Sequence, residues 1–468
     1  MSTFSGLNAA TTALWANRRA LDVTGQNIAN VNTEGYSRQR VDLQAIGGSV
    51  VPAFYSTSPG IGSGVSADNV TRIRDAFLEG RGHIETANSA RMTVEVDAYG
   101  LVEQAFREPG KTGIQSLLSD VWNGWEDVAN NPKDDAARAQ VLQQLGTLVG
   151  GIHFSQESLG AQWGQTRENL GVLVKDVNAS AATIAELNKA IKGAHQSGLP
   201  ANDLTDQRDL LIMKLAGQVG ATVRPGEDGV LDVIVGGMSL VAGSSASKLA
   251  IDDVTDPTKP QVVTAVGGYP VRAGGTAGGQ MNVLGTIIPG YRAALDGIAK
   301  NLVDTLNAQH QSGWDRNGAA GKPILSGTDA TNIGVAISKP EEIAASSVGV
   351  PPTVPPAPPA VPVPSLDKGN ADKIAAMRNL PLGTDSNYRK MIVELGVQAS
   401  VANRNLGIQA VITTQVDAAR ESVAGVNLDE EMTNMLSFQH AYAAAGRMVT
   451  AIDETLDVLI NRTGLVGR

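Results

Sequence analysis

Glycine, lysine and threonine in a row, as at Gly110-Lys111-Thr112, are how a phosphate-cradling loop ends, and they are the first residues here whose spacing could do chemistry. That loop also needs a glycine five places earlier, where Ala105 stands, and a strand in front of it, which the sequence does not offer. Gly60, Gly62 and Gly64 have the spacing of a dinucleotide loop, but no βαβ unit follows them, so flexible turn is the reading. Asp315-Arg316-Asn317-Gly318 opens like a calcium loop without the glutamate that would complete it, and an Asx turn accounts for it. The five histidines (His83, His153, His195, His310 and His440) show no His-Glu-x-x-His or similar ligand spacing, and there is no Gly-x-Ser-x-Gly elbow. The chain has no cysteine, which excludes disulfides, thiolate metal sites and thiol nucleophiles together. No enzymatic activity, cofactor or metal is expected.

Composition narrows the partners. A formal charge of −10 and a pI near 5.1 argue against gripping nucleic acid, where clustered cations must offset phosphates. No run of about 18 apolar residues suggests a membrane span. Asn8, Thr11, Thr12 and Asn17 interrupt what would be a cleavable signal, so export would need a signal-independent machine. Hydrophobic residues make up 42% of the chain but aromatics only 4%, which favours long helices packed through Ala, Val, Leu and Ile. At 468 residues two to four domains are expected.

The elements follow from periodicity. Leu7, Leu14, Leu21 and Ile28 recur every seven residues, with Phe4 and Ala10 on the same side, and predict a terminal helix with a narrow seam that Gly35 ends near residues 30–34. Trp15 lies one residue past the seam, about 100° around the helix, and would be exposed. Residues 36–75, with β-prone Val41 to Leu43 and Val50-Val51, read as an extended connection of hairpin character. Helix returns from Asp75 to Gly193: Ile114, Leu117, Leu118, Val121, Trp122, Trp125 and Val128 share one face, and Leu170, Val177, Ile184 and Ile191 repeat every seven. Val219 to Val223 and Val230 to Val235 flank a Pro225-Gly226 turn in a β-rich insertion, and helix is expected to resume at Tyr291. Eight prolines in residues 350–364 predict an exposed polyproline spacer. The last segment carries two heptad columns, Leu428, Met435, Tyr442, Val449, Leu456 and Phe438, Ala445, Ile452, Leu459, with Asn427 as its cap and acids in its first turn, and should run to about Arg462. Two heptad ends around a different middle suggest that the termini lie antiparallel, side by side, and that the middle loops out.

Asn27-Ile28-Ala29-Asn30 followed by Thr33, Gly35 and Tyr36 resembles the N-terminal motif of the flagellar rod, hook and hook-associated protein family. The extension Gly35-Tyr36-Ser37-Arg38-Gln39, and at the other end Gly425-Val426-Asn427-Leu428-Asp429-Glu430-Glu431 with Phe438-Gln439 and Ala441-Tyr442, look more like the branch at the hook-filament junction than like hook or rod subunits. Asn202-Asp203-Leu204, Asp206-Gln207-Arg208-Asp209, Gly236-Gly237 to Leu240-Val241 and the region Asn307 to Gly313 are similar to that branch too. The resemblance implies an α+β multidomain fold with a coiled-coil-like inner domain of paired terminal helices (1–34 and 428–468). It implies a mainly helical middle domain (35–218 and 284–427) and a small β-rich outer domain (219–283).

It further implies a non-enzymatic, secreted and extracellular subunit, exported unfolded by the flagellar type III apparatus and polymerising at the distal end of the hook. Its partners would be other copies of itself in a ring or tube layer, the hook protein, the second hook-associated junction protein and an export chaperone. The expected assembly contacts are Leu7, Leu14, Leu21, Ile28, Leu428, Met435, Phe438, Tyr442, Val449, Ile452, Leu456 and Leu459. A hook or distal-rod subunit, or a secreted wall-degrading enzyme on a flagellar scaffold, are the alternatives.

Overall fold

The computed structural model describes residues 3–47, 62–349 and 367–462. The proline-rich stretch 350–364, the Val50-Val51 piece and Gly60 lie outside the described residues. The chain begins with helix α1 (Thr3–Ala29) and an antiparallel hairpin, β1 (Gln39–Ile46) and β2 (Gly64–Arg72), bulged between Asp42 and Gln44. Four helices follow: α2 (Ala76–Phe106), α3 (Ile114–Asn130), α4 (Asp135–Gln196) and α5 (Asn202–Val219). Two of them start on a side-chain cap: the Asp75 carboxylate accepts from the amides of Phe77 and Leu78, and Asp134 from that of Ala136. At 62 residues α4 is about 93 Å long, and it is the spine that two separate cores share.

The first core surrounds the N-terminal half of α4. It takes Phe106 from α2, the whole inner face of α3 (Ile114, Leu118, Val121, Trp122, Trp125 and Val128), and later helices described below. The second core surrounds the other half, where Leu170, Val177, Ile184 and Ile191 are all fully buried, as their seven-residue spacing predicts. Onto this half pack α5 and two small sheets, one of order β3 (Thr222–Pro225), β4 (Leu231–Val235), β5 (Met238–Ala242) and β6 (Ser245–Ala246), the other β7 (Leu249–Asp252) with β8 (Gln261–Thr264). Val219, expected in the first strand, instead ends α5.

Helix also resumes earlier than Tyr291, at α6 (Gly275–Asn282), which passes through a π-helical turn (Val283–Ile287) into α7 (Ile288–Gln311). Glycines hid this helix from a propensity reading. They are there for proximity: a Cβ on Gly279 would stand 2.8 Å from the Arg91 carbonyl oxygen and 2.9 Å from Val94 Cβ on α2. The fold closes with α8 (Gly369–Ala375), α9 (Thr384–Ala424) and α10 (Leu428–Asp457), the last followed by a π-helical segment, Val458–Arg462. Tyr388, Met391 and Leu395 of α9 complete the first core, while the rest of α9 runs beside α2. The Asp315 turn is as expected, its carboxylate accepting from the amides of Asn317 and Ala319 at 2.8 Å each. No described helix is long and apolar enough to cross a membrane.

Candidate assembly site at the terminal helices

α1 and α10 lie side by side and antiparallel, Gly6 beside Ile452 at one end and Asn27 beside Glu431 at the other. The α1 face centred on this contact is small: Gly6, Ala10, Ala13, Asn17, Ala20, Thr24 and Asn27 succeed one another at alternating steps of four and three. Ala10, Ala20, Thr24 and Asn27 are nearly inaccessible, whereas Leu7, Leu14, Leu21 and Ile28 stand half-buried at its edge. A second small-residue side, with the buried Ala16, meets the hairpin, where Val65 donates its amide to Thr12 Oγ1 and Asn8 Nδ2 donates to the Ser63 carbonyl. Trp15 points away from α10, lines a hollow with Ile46 and Val65 of the hairpin, and is 71% exposed.

On α10 the column Phe438, Ala445, Ile452 turns toward α1, and Glu431, one heptad earlier, belongs to it. Met435, Val449 and Leu456 are half-buried beside that column. Leu428, Tyr442 and Leu459 are exposed; Leu459 leaves the column because the π-helical turn shifts the phase. Asn427 caps the helix, accepting from the amides of Asp429 and Glu430.

The end of the pair nearest the body is fastened by a buried polar knot. Asn27 satisfies its carboxamide completely: Nδ2 donates to the Gln39 carbonyl (2.9 Å) and Glu431 Oε2 (3.0 Å), while Oδ1 accepts from the Gln39 amide (3.0 Å) and the Tyr36 hydroxyl (2.8 Å). Arg38 then pairs with Glu431 at 2.8 Å and Glu430 at 2.7 Å, and its amide donates to the Ala424 carbonyl, where the chain leaves α9 for α10. One residue earlier, Ser37 gives its amide and hydroxyl to the two oxygens of Asp206, and Arg72 bridges Asp206 and Asp209 of α5 at 2.7 and 2.9 Å while Arg74 pairs with Asp209 at 2.7 Å. Burial opposes the Arg72 charge, but the Asp209 and Asp206 carboxylates more than offset it and raise its pKa. Burial, and then the neighbouring Asp206, Asp203 and Glu431, push the Tyr36 phenol up to about 12, so it stays a donor.

The other motif residues are spacers and turns. Gly35 has φ +80° and sits against Leu210, a conformation and a clearance that a side chain would spoil. Thr33 Oγ1 donates to Asn30 Oδ1, and Ala29 is the exposed last residue of α1. Sequence reading placed Arg38, Asp206 and Asp209 only within motifs and Glu431 among the first-turn acids of α10; it gave none of them, nor Arg72 or Arg74, a contact. One signal was present for Glu431: a carboxylate seven residues before Phe438, in an apolar column, has to find a partner.

Both of these ends match known families. "Flagella basal body rod protein" matches residues 7–36, and "Flagellar basal body rod FlgEFG protein C-terminal" matches 420–462. Between them, "Flagellar hook-associated protein FlgK helical domain" matches 99–325. Flagellar hook-associated protein 1 of Bacillus subtilis is 30% identical over 522 aligned residues, covering 100% of both chains. The chain belongs to the flagellar hook-associated protein 1 family. The Escherichia coli member is 24% identical over 98% of both chains. The flagellar hook junction protein FlgK of Burkholderia pseudomallei superimposes with a TM-score of 0.63 over 74% of this chain and 100% of that one, at 17% identity, and so shares the fold. Within the hook-associated protein 1 family the chain is a structural protein of the extracellular flagellum, an adaptor of the junction between hook and filament.

Proposed function

We propose that the chain polymerises at the distal end of the hook as a ring or tube layer, and that its terminal helices make the contacts. The observation that carries this reading is the unfinished terminal pair. Two long helices are clamped at one end to a densely packed body, yet along them Leu7, Leu14, Leu21 and Ile28, and opposite them Met435, Val449 and Leu456, are only half covered. A pair of this kind buries little apolar surface alone and gains order when neighbouring copies cover it. In this reading residues 1–34 and 428–468 form the inner tube, 35–218 and 284–427 the next layer, and 219–283 faces outward. Hook protein lies below and the second hook-associated junction protein above. Before export, a chaperone covers the apolar side of α10 and prevents early polymerisation. The chain carries no reaction of its own.

Deleting the gene tests this. The expected result is intact hooks without filaments, filament subunits lost to the medium, and rescue by the full chain. Normal swimming without the gene would end the proposal.

A further inference from the structure

Two apolar patches on the terminal pair have no partner among the described residues. One is at the free end of α1, where Phe4 and Trp15 are 69% and 71% exposed on the same side of the helix, about 16 Å apart. Ile46 and Val65 line a hollow of about 590 Å³ beside Trp15. The other is at the opposite end of the pair, where Leu428, Met432 and Leu436 follow at steps of four along α10, all about half exposed. Since the helices are antiparallel and their register is fixed by Gly6 on Ile452 and Asn27 on Glu431, no single copy can lay one patch on the other.

Charge selects the same match. α1 carries Arg18 and Arg19 against Asp22, whereas the first turn of α10, beside the stripe, carries Asp429, Glu430 and Glu431, of which Asp429 is not among the acids that Arg38 holds. Arg18, one turn from Trp15, and Asp429, next to Leu428, are both exposed. We propose that the Phe4 and Trp15 patch of one copy docks on the Leu428, Met432 and Leu436 stripe of a second copy. The second copy is displaced along the pair by about 25 Å, the helical rise between the centres of the two patches. A contact between two different surfaces is heterologous, so it repeats from copy to copy instead of closing on a dimer. This inference rests on the reading that copies of the chain assemble, and it specifies the contact that does so.

The absence of native cysteine makes the test direct. Flagella are isolated from cells expressing the full chain with Trp15→Cys, with Met432→Cys, with both, or with a mixture of the two single variants, and are oxidised mildly. The mixture should yield a cross-linked dimer, the double variant a ladder of multimers, and each single variant only monomer. A double variant that stops at dimer would show a closed two-fold contact and overturn the proposal. So would a product containing a different flagellar protein, or no cross-link in flagella whose filaments remain attached; assembly at the junction would survive that last result. Charge reversal gives a second readout: Arg18→Glu and Asp429→Arg should each lower filament retention at least several-fold and together restore it, and a pair no better than the single variants would also overturn the proposal.

Discussion

Trp125 and Trp15 are the same side chain in opposite circumstances. The first, on α3, has no accessible surface and meets the His310 ring edge to face, and the second is 71% exposed on α1. The contrast extends to their regions. The body around α4 buries Trp122, Trp125, Phe106 and Tyr388 completely, with Phe106 edge-on to Tyr388 and the Trp122 indole donating to Asp385 at 2.7 Å. Along α10, only Glu431 and Ala445 are buried. A body that is finished as a monomer carries a rod that is not, and the polar knot is the fastening between them.

Breaking the body should have the largest effect on stability. Trp122→Ala removes an indole from a fully packed site and leaves Asp385, whose pKa burial already raises, without its best donor, so a loss of about 4 kcal/mol is expected. Urea unfolding followed by far-ultraviolet circular dichroism measures it, and a loss below about 1 kcal/mol would mean that the first core is not what holds the monomer together.

Acid should act on the same region. His310 is fully buried and neutral, Nδ1 donating to the Lys322 carbonyl at 2.6 Å and Nε2 accepting from the Ala344 amide at 2.9 Å; burial pulls its pKa down to about 4. An unfolded histidine takes its proton near pH 6.5. This contribution is therefore complete above pH 6.5 and fades as the pH falls from there toward 4, by about 3 kcal/mol in all. The His310→Gln variant should lose less stability than the parent between pH 7 and pH 4.5; equal losses would place the acid sensitivity elsewhere.

The knot should yield a smaller and strictly local effect. Glu431→Ala leaves Arg38 and Asn27 underpaired in a buried setting, a cost of about 2 kcal/mol. Hydrogen exchange should show faster exchange in α1 and α10 and unchanged protection in α3. Spread of the change into α3 would blur the distinction between rod and body.

At the rod itself, Leu14→Asp and Leu456→Asp should change the body's unfolding free energy in urea by less than about 0.5 kcal/mol, yet abolish incorporation at the hook. Incorporation at the parental level would show that the half-covered edge of the pair is not an assembly surface.

How much of this was legible in the sequence depends on the distance over which the information is written. The α4 heptads, the Pro225-Gly226 turn and the Asn427 cap are local patterns, and they read correctly. The leucine column of α1 forms the edge of its contact with α10, whereas the closest helix approach is made by Gly6, Ala10, Ala13 and Ala20, which carry almost no hydrophobic signal of their own. α6 was missed because its glycines lower helix propensity while allowing contact with α2. The knot could not be read at all as a set of contacts: Asn27 and Glu431 are 404 residues apart, and Ser37 and Asp206 are 169 apart. Only their proximity in the fold shows which polar residue in a motif answers which other.

The Asn27 carboxamide has one further consequence, which is mechanical. Among the described residues the chain joins rod and body after α1 and just before α10, and both crossings are tied to Arg38, Gln39 and Asn27 within a few ångströms of one another. Each lone pair and each proton of that amide is already engaged, so the rod has no second seating to slip into. Torque applied at its tip would meet short, directional bonds rather than a swivel, the stiffness that a shaft assembled as proposed would need.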